Sequence, residues 1–175
     1  LRNSGLVYNP EECAPQITCG PERADEGPPV MIYQQQAATF RGLELDFNVP
    51  LLDQGAHDLN LDLFGDVVRA TLDNGREDVP RMPPARVGAQ LNYTVSQWST
   101  LLRVQHGARQ DKPGANEAPT NAWTRIDAAV YYRVAVANGE LTLFARGNNL
   151  ANAEIRNSSS FVRDYAPEPG RGFEL

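Results

Sequence analysis

The sequence predicts an all-β protein built as one antiparallel sheet, and three observations support this prediction. Apolar and polar residues alternate over long stretches, as in residues 43–51 and 126–134. A period of two places the apolar side chains of a strand on one face and the polar ones on the other. The connections alternate between short turns and long loops rich in Pro, Gly and Asn. Long half-apolar strands with loops sorted in this way are the pattern of an antiparallel transmembrane β-barrel.

The first two strands are predicted at residues 31–52 and 57–72, joined by a short turn that contains Gly55. The alternation shifts near Phe64-Gly65, which predicts a β-bulge there, because glycine in a strand often marks one. The apolar positions that set the phase of these strands are Leu43, Leu45, Phe47, Val49, Leu51, Leu59, Leu61 and Leu63.

The next four strands are predicted with the same alternation, and a seventh begins near Arg171. Tight turns join the third strand to the fourth and the fifth to the sixth, and the second of these turns contains Asn138-Gly139, a strong hairpin signal. The loop between strands two and three carries consecutive prolines, which forbid a regular strand there. The predicted ranges of strands three to six are 85–95, 98–109, 123–136 and 140–148.

Composition excludes several classes of protein. The net charge is −6 and the isoelectric point is about 4.9, so nucleic acid is not an expected partner. No apolar run is long enough for a transmembrane helix, but barrel strands never carry such a run. No GxSxG, HExxH or Walker motif occurs, so neither an enzyme nor a cofactor is expected.

The two ends of the sequence predict a piece of a longer protein. The N-terminus carries neither a signal peptide nor an initiator Met, and the chain stops as the seventh strand begins. Residues 1–30 show no periodicity and are predicted to form a loop. Cys13 and Cys19 lie in this loop at a spacing that favours a small disulfide ring in an oxidising compartment; two free thiols or a metal pair are the alternatives.

Four segments, taken in order, resemble the barrel of TonB-dependent outer-membrane receptors. YQQQAATFRGLELDFNVPL resembles a late strand of that family with its aromatic and Gly-x-Glu pattern, and VPRMPPARVGAQLNY resembles its Pro-rich entry into a strand. LFARGNNLANAEIRNSS resembles the x-N-L-x-N element before the final outer loop, and APEPGRGFEL resembles the start of the last strand. The resemblance covers about residues 31–175.

This resemblance implies a fold, a function and partners. Residues 31–175 would form about the last seven strands of a 22-stranded barrel in the outer membrane of a Gram-negative bacterium, and residues 1–30 an extracellular loop. Such receptors import a ferric siderophore, haem, cobalamin or a metal with energy delivered by TonB. The implied partners are outer-membrane lipid, the TonB complex, the nutrient, and the plug domain and preceding strands of the same protein.

The Pro-rich junction and the last segment look most like the branch that contains zinc receptors. That branch often has His-rich loops, whereas this chain has only His57 and His106. His57 falls at a short turn on the periplasmic side, and His106 has lipid-facing phase near the outer rim. Neither lies at ligand spacing from a second His or Cys, so no metal site is expected.

The polar phase of the strands and the long loops supply the candidate functional residues. Charges of lumen phase are expected to contact the plug and to form cross-strand pairs such as Arg103 with Asp127. Arg and Tyr in the loops suit anionic, catecholate-like ligands. Trp98 is expected at the periplasmic membrane interface. The lumen-facing candidates are Glu44, Asp46, Asp62, Arg86, Arg103, Asp127, Arg133 and Arg146, and the loop candidates are Arg81, Arg156, Arg163, Asp164 and Tyr165.

Two other functions remain open from the sequence. A passive porin-like barrel would show the same strand pattern but would lack a plug. A soluble, secreted β-sandwich that binds carbohydrate would instead bury Leu43, Leu45, Phe47 and Leu61 in a dry core.

Overall fold

Seven antiparallel strands form a single sheet in which every strand pairs with its neighbour in sequence. The structure is a computed structural model that describes residues 35–73, 77–114 and 117–175. The strands are β1 (Ala38–Gln54), β2 (His57–Leu72), β3 (Arg86–Val95), β4 (Trp98–Gly107), β5 (Trp123–Val136), β6 (Gly139–Asn148) and β7 (Gly172–Glu174). The prediction of an all-β antiparallel sheet is confirmed. The described part of the chain contains no helix of the length and hydropathy needed to cross a membrane.

The predicted strand bounds agree with the structure within two residues, except at the start of β1. That strand begins at Ala38 instead of residue 31. The first turn is tighter than predicted, because Gly55 has a φ of 60° and lets two residues reverse the chain. The predicted loop at residues 1–30 and the predicted Cys13–Cys19 ring lie outside the described residues.

The register of the strands places most of their apolar side chains on one side of the sheet and most of their polar side chains on the other. One row of directly paired positions crosses all seven strands and contains no ionisable residue; it consists of Val49, Leu61, Leu91, Leu102, Ala128, Gly147 and Phe173. We call the side of the sheet that contains this row the apolar face. The adjacent row lies on the opposite side, the polar face, and consists of Asn48, Asp62, Gln90, Arg103 and Asp127.

The apolar face is not covered by a second layer within the described part of the chain. Leu43 and Phe47 keep 59% and 56% of their surface exposed, and Leu45 keeps 47%. A β-sandwich would bury these side chains between two sheets. The single sheet with an open apolar face therefore favours a wall in contact with lipid over the soluble sandwich.

The predicted bulge at Phe64-Gly65 is wrong. Gly65 pairs regularly with Leu45, and the ladder shifts instead between Pro50 and Leu52, where one extra residue enters β1. Proline has no backbone N–H, so the ladder loses a hydrogen bond at Pro50 and tolerates a bulge there.

Aromatic rings on the polar face cover glycines in the adjacent strand. Phe64 lies directly opposite Gly88, and Trp123 lies directly opposite Gly107. A Cβ atom at Gly107 would lie 2.5 Å from the Trp123 ring, and one at Gly88 would overlap the Phe64 ring. A ring over a strand glycine replaces the packing that the missing side chain would give. The irregular alternation at Phe64 therefore reflects a ring over a glycine.

The connections are sorted by length to the two ends of the sheet, as predicted. Two-residue turns join β1 to β2, β3 to β4 and β5 to β6. The long connections are loop L1 (residues 73–85), loop L2 (residues 108–122) and loop L3 (residues 149–171), and they all leave the opposite end.

Candidate functional site

The three long loops pack against one another into a loop cluster at their end of the sheet. The Gln110 amide of L2, which is 2% exposed, donates to the carbonyl of Met82 in L1 at 2.7 Å. The Ser158 hydroxyl of L3 donates to the same carbonyl at 2.9 Å, and Ser158 is also buried. Because one carbonyl of L1 accepts from both other loops, the three loops are held together at this point.

Glu117 of L2 makes a second connection between the loops. Its carboxylate accepts the backbone N–H of Arg81 in L1 at 3.0 Å and that of Gly114 at 3.1 Å. The Arg163 guanidinium of L3 lies 3.9 Å from the same carboxylate, and both side chains are largely buried. Arg163 also donates to the Ser158 carbonyl at 3.2 Å. A buried carboxylate with two N–H donors and a cation nearby is well satisfied, so it fixes the relative positions of all three loops.

Two asparagines shape the beginning of L3 and explain its x-N-L-x-N motif. Asn149 and Asn152 both have a positive φ, at 47° and 52°, a region that asparagine tolerates better than most residues. The buried Asn149 amide donates to the carbonyls of Ala153 and Pro169 at 2.9 and 3.2 Å. The Asn152 side chain accepts the backbone N–H of Arg171 at 3.0 Å. The motif therefore connects the beginning of L3 to its end by hydrogen bonds.

The predicted loop residues separate into buried and exposed groups. Arg163 is only 4% exposed, and its guanidinium is occupied by the contacts described above. The Arg156 guanidinium donates to the carbonyls of Arg163 and Asp164 at 2.7 and 3.0 Å and pairs with Glu154 at 2.8 Å. These two arginines therefore hold the shape of L3, and a ligand at the surface would meet little of Arg163.

The tip of L3 carries the exposed aromatic side chains of the loop cluster. Tyr165 is 89% exposed and Phe161 is 75% exposed. The Arg81 guanidinium of L1 stacks over the Phe161 ring, with its Cζ atom 3.3 Å from the ring centroid. The Asp164 side chain is also largely exposed. Arg81, Asp164 and Tyr165 are therefore the predicted loop residues that lie at an accessible surface.

A small cavity lies at the base of the loop cluster. It encloses about 120 Å³ and is lined in part by Pro84, Trp123 and Ile155. Pockets for small molecules in proteins usually measure about 300–1,000 Å³. This cavity is therefore smaller than those that usually hold a small molecule.

All eight predicted lumen-facing residues lie on the polar face. Arg86 forms a two-point ion pair with Asp66 of the adjacent strand at 3.0 and 3.1 Å. Arg146 lies 3.5 Å from Glu174 of β7 and donates to the Tyr131 hydroxyl at 3.1 Å. Such cross-strand contacts tie neighbouring strands together, so much of the charge on this face is compensated within the sheet.

The predicted ion pair between Arg103 and Asp127 is replaced by other contacts. The two residues do face each other across β4 and β5. The Asp127 carboxylate instead pairs with Arg125 two residues earlier at 2.9 Å and accepts the backbone N–H of Asn149 at 2.8 Å. The Arg103 guanidinium lies over the Phe64 ring, 4.4 Å from its centroid. The register was predictable, but the choice of partner was decided by an arginine on the same strand and by the ring opposite Gly88.

Asp62 connects three strands on the polar face. Its carboxylate accepts the side-chain amide of Asn48 in β1 at 2.6 Å and that of Asn92 in β3 at 2.7 Å. Together with Glu44, Asp46, Phe64 and Arg103, it borders a shallow hollow of about 380 Å³ on this face. A second hollow of about 430 Å³, bordered by Glu44, Asp66 and Arg86, lies toward the long loops.

The histidines and Trp98 lie where the alternation places them. The His57 ring contacts the Tyr93 hydroxyl at 2.7 Å beside the first short turn, and His106 contacts the Thr124 hydroxyl at 2.9 Å near the long-loop end. Trp98 begins β4 on the apolar face and packs against Tyr132, with ring centroids 4.5 Å apart. In the described ranges, no three His, Cys, Asp or Glu side chains converge as metal ligands do.

Reasoning from the sequence did not identify the buried polar residues that organise the loop cluster. Glu117, Gln110 and Ser158 occur in polar loops without periodicity, so nothing in the local pattern distinguishes them from solvated residues. Asn149 and Asn152 did leave a signal, the x-N-L-x-N element. Its physical meaning, two left-handed turns with side-chain bonds, was visible only in the structure.

Comparison with known families gives one result that bears on this arrangement. The family model described as "TonB dependent receptor-like, beta-barrel" matches residues 9–150, which include β1 to β6 and loops L1 and L2. Proteins of this family are outer-membrane receptors that serve transport and are not enzymes. The single antiparallel sheet, its open apolar face and its sorted loops agree with that match. The chain belongs to the family of TonB-dependent receptors and forms a part of their β-barrel.

Proposed function

We propose that this chain forms a part of the wall and three outer loops of a receptor that imports a scarce nutrient across the outer membrane of a Gram-negative bacterium. Import is driven by TonB, and the cargo is a ferric siderophore, haem or a metal. The observation that carries the proposal is the continuous apolar row from Val49 to Phe173, backed by a charged polar face. A sheet of this kind separates lipid from a polar interior.

The accessible tip of L3 supports a role in ligand capture. Arg81 and Phe161 stack there, and Tyr165 of the same loop is exposed. A guanidinium with aromatic surface suits an anionic, planar ligand, because it offers both charge-assisted hydrogen bonds and stacking. Arg156 and Arg163, which hold L3 through its backbone carbonyls, act as positioning residues.

The polar face supports contacts with a plug domain. Among the residues that the structure describes, Glu44 and Asp46 form no ion pair, whereas Arg86, Asp127 and Arg146 are paired within the sheet. Exposed carboxylates on a wall that encloses a folded plug favour basic or amide partners from that plug. We therefore assign Glu44 and Asp46 to plug contact and the paired residues to the stability of the wall.

An uptake assay tests this function. The receptor, expressed from its complete gene, is placed in a strain that lacks it, and uptake of radiolabelled iron-siderophore, haem and zinc is measured with and without a protonophore. We expect saturable uptake of one cargo that stops when the proton gradient collapses. Uptake that rises linearly with concentration and ignores the protonophore would support the passive porin-like alternative.

A pair of variants links the uptake to the loop tip. Replacing Arg81 and Tyr165 together by Ala should weaken ligand binding about tenfold or more, because a stacked ring and a charge-assisted bond are each worth about 1 kcal/mol or more. Lys112→Ala is the control, since Lys112 is an exposed cation of L2 that was not predicted to bind the ligand. Equal binding by both variants would exclude the tip of L3 as the ligand surface.

A further inference from the structure

The apolar face carries two ionised side chains within the described strands, and they lie directly opposite each other. Arg41 of β1 pairs in register with Arg69 of β2. Both have the same phase as Leu43 and Val67, which form the next pair toward the membrane interior. All other strand positions of this phase are apolar, small, hydroxyl-bearing, amide or histidine residues.

Neither arginine is neutralised by the residues that the structure describes. Both are exposed, and no ion pair joins either of them to a carboxylate in those ranges. Two carboxylates lie just beyond the pair, at the long-loop end of these strands. Asp73 accepts the Thr39 hydroxyl at 3.2 Å, and Asp78 is the bridge partner of Thr71. The two guanidinium groups therefore concentrate positive charge at one point of the face.

Such a pair costs stability unless an anion joins it. Directly opposite residues of an antiparallel pair have Cβ atoms about 5 Å apart, and like charges at that distance repel. Two arginines at one register position suggest that the repulsion is compensated from outside the sheet.

The position of Arg41 and Arg69 along their strands indicates which layer of the membrane would supply the anion. Arg41 lies two residues beyond Leu43 toward the long loops, which is about 7 Å along the strand. In a barrel strand tilted by about 40°, this corresponds to about 5 Å along the membrane normal. Arginine side chains at such a boundary extend toward the headgroup layer. The pair therefore faces the headgroups of the leaflet on the loop side.

The geometry points to a binding site for the phosphate of a lipid headgroup, made by Arg41 and Arg69 on the outside of the barrel wall. A phosphomonoester carries nearly two negative charges and three acceptor oxygens, which match two guanidinium groups better than a phosphodiester does. This inference rests on the proposed function only in requiring that the apolar face contacts lipid. It assigns a role to two residues outside the ligand path.

Native mass spectrometry of the purified receptor tests the site. The complete receptor, in a neutral detergent, is mixed with phosphatidic acid, phosphatidylglycerol or phosphatidylcholine, and the fraction of receptor with bound lipid is measured. We expect phosphatidic acid to bind best and phosphatidylcholine least. Replacing both arginines by Gln should weaken binding of phosphatidic acid about thirtyfold, because each arginine near an anionic headgroup contributes about 1 kcal/mol.

The matched control changes the net charge equally at another place. Lys112 and Arg171 are exposed cations of L2 and L3, and replacing both by Gln should leave binding of phosphatidic acid unchanged. Replacing Arg41 and Arg69 by Lys should retain part of the affinity and provides a second test if the Gln variant fails to fold.

Two results would overturn the inference. One is equal binding of phosphatidic acid and phosphatidylcholine by the unchanged receptor. The other is equal binding of phosphatidic acid by the control variant and by the variant in which Gln replaces Arg41 and Arg69. The same result is expected if a carboxylate of a neighbouring strand neutralises the two arginines. The measurement does not involve nutrient uptake, so its failure and the failure of the proposed function are separate outcomes.

Discussion

The buried carboxylate of Glu117 offers the sharpest test of how the loop cluster is held together. We predict that Glu117→Gln loosens all three loops while the sheet keeps its stability. The carboxylate accepts two backbone N–H groups, from Arg81 and Gly114, and faces the buried Arg163 guanidinium. Glutamine has nearly the same shape, and its single oxygen can replace Oε2, which accepts both N–H groups. Both hydrogen bonds then lose their charge assistance, and the Arg163 guanidinium keeps only the Asp164 carboxylate, 3.6 Å away, as a counter-charge.

The size of the effect follows from these contacts. Breaking a buried ion pair from one side typically costs about 3–5 kcal/mol. Here the Arg163–Glu117 distance is long at 3.9 Å, and Arg163 keeps the Ser158 carbonyl as an acceptor. A neutral hydrogen bond in place of a charge-assisted one costs about 1 kcal/mol. We therefore expect local opening of the loops to become easier by about 2 kcal/mol, which is about a thirtyfold change in the opening equilibrium.

Hydrogen–deuterium exchange of the complete receptor measures this opening directly. Peptides that span residues 79–86 and 110–118 report the two N–H groups, and peptides of β3 and β4 report the sheet. Local opening exposes amides without global unfolding, so only the loop peptides should exchange faster.

Glu154→Gln is the matched control, because Glu154 belongs to an exposed ion pair with Arg156. Exposed ion pairs contribute less than about 1 kcal/mol, so this variant should change loop exchange less than fivefold. The reasoning would be refuted if Glu117→Gln left the loop peptides unchanged, or if it accelerated loop and sheet peptides equally.

Three further predictions concern the faces of the sheet, a ring over glycine and the N-terminal loop. Leu91→Arg, in the middle of the apolar face, should destabilise a barrel folded in lipid vesicles by about 2–4 kcal/mol, whereas Asn92→Arg on the polar face should cost about 1 kcal/mol. Denaturant unfolding in vesicles compares the two variants. Equal losses of stability would contradict the assignment of faces. Gly88→Ala should cost about 1–3 kcal/mol in the same assay, because the new methyl group overlaps the ring opposite and lies 2.8 Å from the Val104 carbonyl oxygen. An unchanged midpoint would contradict this tight packing. Thiol titration of the denatured receptor should detect Cys13 and Cys19 only after reduction, and free thiols before reduction would exclude the predicted ring.

The strands were predictable because their signal is local. A lipid-facing strand repeats every second residue, so the phase of Leu43, Leu45 and Phe47 could be recognised without any knowledge of their neighbours in space. The tight turn after the fifth strand was equally recognisable from Asn138-Gly139, although the structure places the turn at Ala137 and Asn138 and begins β6 at Gly139.

The interrupted alternation in β2 was wrongly predicted to be a bulge, because a bulge and a ring over a glycine leave the same pattern in the sequence. An aromatic residue next to a glycine at Phe64-Gly65 suggested a bulge, but the ring covers Gly88 of the next strand. The actual bulge follows Pro50, where the missing N–H weakens the ladder. Only the cross-strand neighbours distinguish these two cases.

The sequence by itself determined the fold class, the phase of the strands apart from the interruption at Phe64-Gly65 and the bulge after Pro50, the sorting of the loops and a resemblance to the family that the match at residues 9–150 then established. The tertiary structure alone decided which charges pair, which loop residues are buried, and that Arg41 and Arg69 meet on the apolar face. The physical reason is the range of the interactions. Strand phase arises between residues two positions apart, whereas the partners of Glu117 and Arg69 come from distant segments, brought together only when the sheet and its loops assemble.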